Sequence, residues 1–440
     1  MLKGVLAMVV LALPLTAQSP AEWKAVLERL DRLEQENREL RARLDAMAPP
    51  AAGAAPAEKS LEETTAILER RVDEQAQTKV ESAQRFPVRV TGMALFNTFY
   101  GTRNSGGQDT TVVAAPVAGR SSAGATLRQS ILGLEYFGPT TVLGGKVRGS
   151  VFIDFYDGFA EPAYNYARLR TATMEIDWGS RSVAVGFEKP IFNPREPASL
   201  ATVGISPLAG AGNLWRWQPQ IRFEQRLKLG VGTMLRAQAG VVQTAEDVAS
   251  TPDYAVSTLN RRRPGVQGRF ELQHKFDDSR RVEIAPGFHV STTHIAGVSV
   301  PSRVASLDWF ANPWQPLEFS GAFFAGRNIG HFGGLRQGFA LTQTASPIPV
   351  HSRGGWAQAA VRATPRLTFN LYGGLQDDRN SDLRWTRNWI GHNRAGAVNF
   401  IYRVAPNVLW SIEALQIRTL YLGLGTRIQN RYDMALAYQF

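Results

Sequence analysis

The sequence predicts an all-β fold, a sixteen-stranded antiparallel transmembrane β-barrel preceded by an N-terminal α-helical coiled coil. Three observations predict it. From residue 87 onward, apolar residues recur at every second position, the period of a strand with one apolar face. The segments that alternate in this way are joined by long and short connections in turn, the rhythm of outer-membrane barrels. Before residue 87 the apolar spacing is instead three and four, the seam of a coiled coil.

Composition narrows the alternatives. A chain of 440 residues can hold two or three soluble domains or one large all-β domain. After the first 15 residues no apolar run approaches the roughly 20 residues that a spanning helix requires. The absence of cysteine excludes lipid attachment at an N-terminal cysteine, thiolate metal sites and disulfides. Charge is unevenly spread: residues 1–86 carry 12 Lys and Arg against 14 Asp and Glu, while residues 87–440 carry 37 against 24. In that second part arginine outnumbers lysine 33 to 4. A basic excess points to anionic partners, and an arginine bias to planar recognition of carboxylate or phosphate.

Residues 1–17 read as a secretory signal peptide. Lys3 supplies the basic start, Val5 to Leu15 the apolar stretch and Ala17 a small residue suited to cleavage. As an uncleaved anchor helix the stretch is too short. Residues 20–48 form the predicted coiled coil, with Trp23, Val26, Leu30, Leu33, Asn37, Leu40, Leu44 and Met47 along the seam. Asn37 falls at an a position, where a buried amide costs stability but fixes register and strand number. Charge on the remaining positions argues against a single amphipathic helix lying on its own domain. Residues 49–59 are a Pro- and Ala-rich linker. Residues 60–86 form a second helical segment whose weaker seam, Leu61, Thr65, Leu68 and Val72, fades at Gln75. A short coiled coil requires partner chains, so the expectation is a homo-oligomer.

Residues 87–440 are the barrel. Strands are expected at 88–100, 126–137, 143–156, 165–178, 181–189, 218–229, 232–243, 264–276, 280–293, 300–310, 316–327, 354–363, 367–376, 393–403, 407–418 and 429–440. In "QIRFEQRLKL", for example, Ile221, Phe223, Leu227 and Leu229 share one face, and Gln220, Arg222, Glu224, Arg226 and Lys228 the other. The short connections carry turn residues, "GPTT", "GS", "DDS", "TPR" and "VAP". Apolar faces then meet lipid and polar faces a lumen. Sixteen strands leave an aqueous channel rather than a packed interior. A soluble sandwich or propeller gives no reason for basic residues on the face that would be its core. The last strand ends on Tyr432, Met434, Leu436, Tyr438 and Phe440, and must pair with the first to abolish the sheet edges.

With these elements in place the chain resembles the DcaP-like outer-membrane porins. The seam Trp23 to Met47 carries the resemblance, with "LRQSILGLEYFG" (127–138), "GGKVRGSVFIDFYDGF" (144–159), "ARLRTATMEIDWG" (167–179) and "NRYDMALAYQF" (430–440). It implies a trimer, a periplasmic coiled coil and passage of small anions such as dicarboxylates. The family's "RQSR" reads "RQSI" here, with Ile131 in place of the second arginine. The terminal aromatics Tyr438 and Phe440 resemble the signal that outer-membrane assembly machinery reads.

In such a lumen, function is a field rather than a bond-making step. The expected pore-lining residues are Lys146, Arg148, Arg222, Arg226, Lys228, Arg236, Arg269 and Lys275. Asp154, Glu224 and Glu271, interleaved with them, would keep anions from being trapped. The alternative for each is a pair across the wall that stiffens the barrel. By analogy with general porins, the third long connection folds inward, with Arg195 and Glu196 as constriction residues. The Arg261–Arg263 cluster on the outer rim is placed for lipid phosphates or for funnelling anions. An enzyme would require a clustered nucleophile and base, but His274, His289, His294, His331, His351 and His392 stand apart, with no HExxH helix or GxSxG elbow. No catalytic residue, metal or cofactor is expected, and compartment argues against nucleic acid. A structural anchor tethering the envelope through the coiled coil is the remaining rival to transport. The expected partners are further copies of the chain, outer-membrane lipid, the assembly machinery and small anionic solutes.

Overall fold

The computed structural model describes Gln35 and residues 87–440, apart from 142, 157–165, 247–255, 336–337, 343, 345 and 384–388. The signal peptide, the coiled coil with Asn37, the linker and the second helical segment lie outside the described residues.

Nineteen β-segments follow one another: β1 (Val88–Gly101), β2 (Ser122–Thr126), β3 (Ile131–Thr140), β4 (Lys146–Asp154), β5 (Arg168–Asp177), β6 (Arg181–Glu188), β7 (Gln218–Gly230), β8 (Thr233–Ala245), β9 (Arg262–Lys275) and β10 (Arg281–Ile295). They continue with β11 (Val298–Trp314), β12 (Leu317–Arg327), β13 (Phe339–Leu341), β14 (Pro347–Pro349), β15 (His351–Thr364), β16 (Leu367–Asp378), β17 (Ile390–Ala405), β18 (Val408–Tyr421) and β19 (Gly425–Gln439). β13 and β14 form a separate ribbon, and all others belong to one antiparallel sheet closed on itself. β2 and β3 both pair with β1, Ala123 opposite Tyr100 and Leu134 opposite Val90, so they are two halves of one wall strand. The wall therefore has sixteen strands.

Closure lies between β1 and β19, with Phe96 opposite Leu436 and Tyr100 opposite Tyr432. The final residue completes it. Gly92 N–H donates to the Phe440 carbonyl at 3.0 Å, and Phe440 N–H returns a bond to the Gly92 carbonyl at 3.2 Å. Along β19 the usual burial of a soluble strand is inverted. Tyr432 and Tyr438 are each 52% exposed, whereas Arg431 and Asp433 on the opposite phase are 2% and 3% exposed. A surface with its apolar face outward and its charges inward is stable only where lipid covers the outside.

The expected strands are all present, but two expected outer connections are not loops. β10 and β11 meet through Ala296 (φ +48°) and Gly297 (φ +76°), the paired positive φ values of a two-residue hairpin turn. β18 and β19 meet at residues 422–424, with Gly423 and Gly425 also at positive φ. The connections expected at 294–299 and 419–428 are therefore mostly strand. The ladder continues because cross-strand partners persist, as with His294 opposite Ser299 and Arg418 opposite Ile428. The purely polar lumen also needs correction. β12 and β15–β18 turn Ala322, Trp356, Tyr372, Ala397, Leu415 and Ile417 inward, where they pack with Ala114, Leu208 and Ala211 from two connections.

Candidate functional site

Among the described residues, three long connections enter the barrel from its loop end. The largest, residues 189–217, joins β6 to β7 and lies almost wholly buried within the wall. Inward side chains hold its backbone all round. The Gln267 side chain accepts from Ile191 N–H at 2.8 Å, and Gln358 accepts from Ala198 N–H at 2.6 Å. Asn97 donates to the Leu200 carbonyl at 2.7 Å, and Asn399 to the Ala198 carbonyl at 3.0 Å. Gln129, between β2 and β3, accepts from Val203 and Gly204 N–H and donates to the Ala201 carbonyl. On β5, Arg168 and Arg170 donate to the carbonyls of Gly204 and Val203 while both grip Asp154, which is fully buried. Gly212, at φ +106°, lies against β15 so closely that a Cβ there would run into the Gly355 carbonyl.

Arg195 and Glu196 occupy distinct positions on this loop. Arg195 Nε donates to Asp308 at 2.6 Å, and its Nη2 reaches Glu271 at 3.4 Å and also Glu283. Arg269 forks onto Asp308 at 2.7 and 2.8 Å, and Arg236 donates to Glu271 at 2.7 Å. Three arginines thus share the acids of β9, β10 and β11, and such charge-assisted forks fix geometry. Glu196 accepts from Ser206 Oγ at 2.5 Å and pairs with Lys189 at 2.6 Å. Burial by itself would raise its carboxyl, but Lys189 and Ser206 outweigh that and hold it below the ordinary range.

Between the start of this loop and the wall of β4–β9 lies a cavity of about 510 Å³. Its lining includes Lys189, Arg222, Arg226, Arg236 and Arg269 against Glu175, Glu188 and Glu224, with Thr171 and Thr173. Arg222 donates to Glu188 at 3.0 Å, and Arg226 to Asp177 at 3.0 Å and Glu224 at 2.6 Å. Four of the eight expected pore-lining residues, Arg222, Arg226, Arg236 and Arg269, therefore line one cavity and are paired there. The other four, Lys146, Arg148, Lys228 and Lys275, also point inward, towards the turn end, and make no side-chain hydrogen bond or ion pair among the described residues. Across the strands Lys146 stands opposite Asp177 and Arg148 opposite Glu175.

Several residues escaped the sequence reading. Residues 102–121 also fold into the barrel mouth, with Arg431 donating to the Gln108 and Asp109 carbonyls and Tyr421 Oη to the Ala114 carbonyl at 2.8 Å. Residues 328–350 bring Phe332 edge-on to Phe192 at 5.0 Å. The histidines do not all stand apart: His289 and His331 meet with ring centroids 5.7 Å apart. For Arg168 and Arg170 the signal was present in "ARLR", two arginines one residue apart on a strand. For Gln129 there was none, because an amide's partners are set by a loop distant in sequence.

No protein-family model matches the chain, and no curated protein matches it. Sixteen strands, an inward loop and a charged lumen define the class, an outer-membrane porin-like barrel. Within that class the chain resembles the outer-membrane channel DcaP of Acinetobacter baumannii, with a TM-score of 0.66 at 15% identity, covering 80% of this chain and 97% of that one. An anion-selective porin from Comamonas acidovorans shares the fold at a TM-score of 0.50 and 12% identity, covering 80% of this chain and 99% of that one.

Proposed function

We propose that the chain is a passive porin of the outer membrane that admits small hydrophilic solutes and favours anions, with dicarboxylates as the natural cargo class. The observation that carries this reading is the cavity beside β4–β9, taken as the passage, where five basic side chains face three acidic ones. Basic groups in a narrow, low-dielectric-walled pore lower the energy of an anion and raise that of a cation. The paired acids temper that field, so an anion is attracted without being held. Lys146, Arg148, Lys228 and Lys275 extend the positive field towards the turn end, the periplasmic side in barrels of this kind. Arg195 and Glu196 set the width of the passage by seating the loop. A trimer held by the periplasmic coiled coil, with Asn37 fixing its register, completes the reading, and Tyr438 and Phe440 serve assembly. Resemblance to the DcaP channel and to an anion-selective porin supports it.

The test is the reversal potential across a planar bilayer in a KCl gradient. An anion-selective sign is expected, and a cation-selective or permanently closed channel would sink the reading. The packed half of the lumen favours a second reading, a plugged structural anchor. Liposome swelling with small sugars separates the two, since a plugged anchor passes none.

A further inference from the structure

The outward face of the barrel carries charges that neither lumen nor loops explain. On β11 and β12, Arg303 stands directly opposite Arg327, and the alternation places both on the lipid side. Like charges opposite each other across a ladder destabilise it, and neither arginine has an ion-pair partner among the described residues. Next to them on β15, Arg353 pairs with Asp377 of β16 at 2.9 Å. Arg379 completes an outward groove of about 880 Å³ whose floor is Val290, Ala305 and Ala325. The arrangement recurs on β17 and β18, where Arg394 stands opposite Arg418.

We infer that the Arg303–Arg327 groove binds the phosphate-bearing headgroup of a glycolipid in the outer leaflet. Height is the first reason. Ten residues separate Arg327 from Leu317 on β12, about 33 Å of strand at ~3.3 Å per residue. At a tilt near 45° this becomes roughly 23 Å, the thickness of the apolar band of an outer-membrane barrel. The arginines therefore stand where that band ends on the loop side. Chemistry is the second, because guanidinium groups grip phosphate through two parallel hydrogen bonds. The apolar floor below them suits acyl chains. Charge complementarity argues against the outward wall of a second barrel as occupant, because among the described strand residues Asp377 is the one acidic side chain on the outward phase.

Delipidated full-length protein in detergent, titrated with diphosphorylated lipid A and with its dephosphorylated form, tests this by native mass spectrometry. The phosphorylated lipid should bind at least tenfold more tightly. The double variant Arg303→Gln/Arg327→Gln should lose that preference, whereas Arg362→Gln, on the lumen phase, should keep it. Equal binding of the two lipids by the unaltered protein overturns the proposal and requires no variant to assemble. So does a double variant that binds like the unaltered protein. Displacement by millimolar inorganic phosphate alone would reassign the groove to a free anion. Conductance in bilayers lacking lipid A should be the same for the outward-facing double variant as for the unaltered protein, which keeps this test separate from that of the porin reading.

Discussion

The two halves of the lumen are built from the same alternation and end in opposite states. Along β7 the inward positions Arg222, Glu224 and Arg226 line an open cavity. Along β15 and β16 they include Trp356 and Tyr372, buried against the inward loop. A loop seats where it can bury apolar area and satisfy its backbone, and it leaves free the side whose charges would be costly to desolvate. On the porin reading, the packed half determines where the passage lies, and the charged half what it favours.

The strongest way to break this comparison is to unseat the loop. At Gly212 a side chain would meet the Gly355 carbonyl, and at Gly374 it would meet the Ala211 carbonyl, both backbone atoms that cannot step aside. Gly212→Val should raise single-channel conductance severalfold and weaken selectivity. Unchanged conductance would mean that the loop does not set the passage. Arg195→Ala attacks the opposite end. Removing one partner of a buried charge network costs about 3–5 kcal/mol, and the low end is expected because Asp308 keeps Arg269. The readouts are the thermal midpoint and open-channel noise, and adding Asp308→Asn should deepen the loss, because it takes from the buried Arg269 the carboxylate it forks onto.

The comparison also separates what the sequence could disclose from what it could not. The charged half was legible, because Arg222, Arg226, Arg236 and Arg269 stand out at every second position among apolar residues. The closing seam at Phe440 was equally plain. The packed half was hidden: in "GGWAQAAV" the phase of Trp356 mixes one polar residue, Gln358, with small ones while the other phase is small or apolar throughout, so periodicity alone cannot show that Trp356 points inward. The contacts that seat the loop were hidden for a different reason. Asn97 bonds Leu200, and Asn399 bonds Ala198, and nothing local in either amide announces a partner so far along the chain.

Charge reversal sharpens the comparison on the open side. Arg222→Glu should shift the anion-to-cation permeability ratio about threefold, on the order of 0.7 kcal/mol in relative barrier height. Lys228→Glu, beside the turn end, should shift it less, because Lys228 is exposed there and solvent screens its charge. Reversal potentials measured on both variants check the order, and equal effects would place the selective region outside the passage.

The smallest expected effect is on pH dependence, and it arises at Glu196. Its carboxyl is held below the ordinary value of 4.5 in the seated loop, since Lys189 and Ser206 outweigh the cost of burial. A group whose value is depressed in the seated state stabilises that state above the unseated value and ceases to do so as pH falls through the seated one. Loop seating should therefore be constant from neutral pH down to about 4.5 and loosen only below it. Open-channel noise recorded from pH 7 to pH 3 should rise at the acid end alone. Glu196→Gln should remove that acid-dependent step and leave the selectivity of the charged half in place. Noise that rises well above pH 5 would assign the transition to another group and detach Glu196 from the seat.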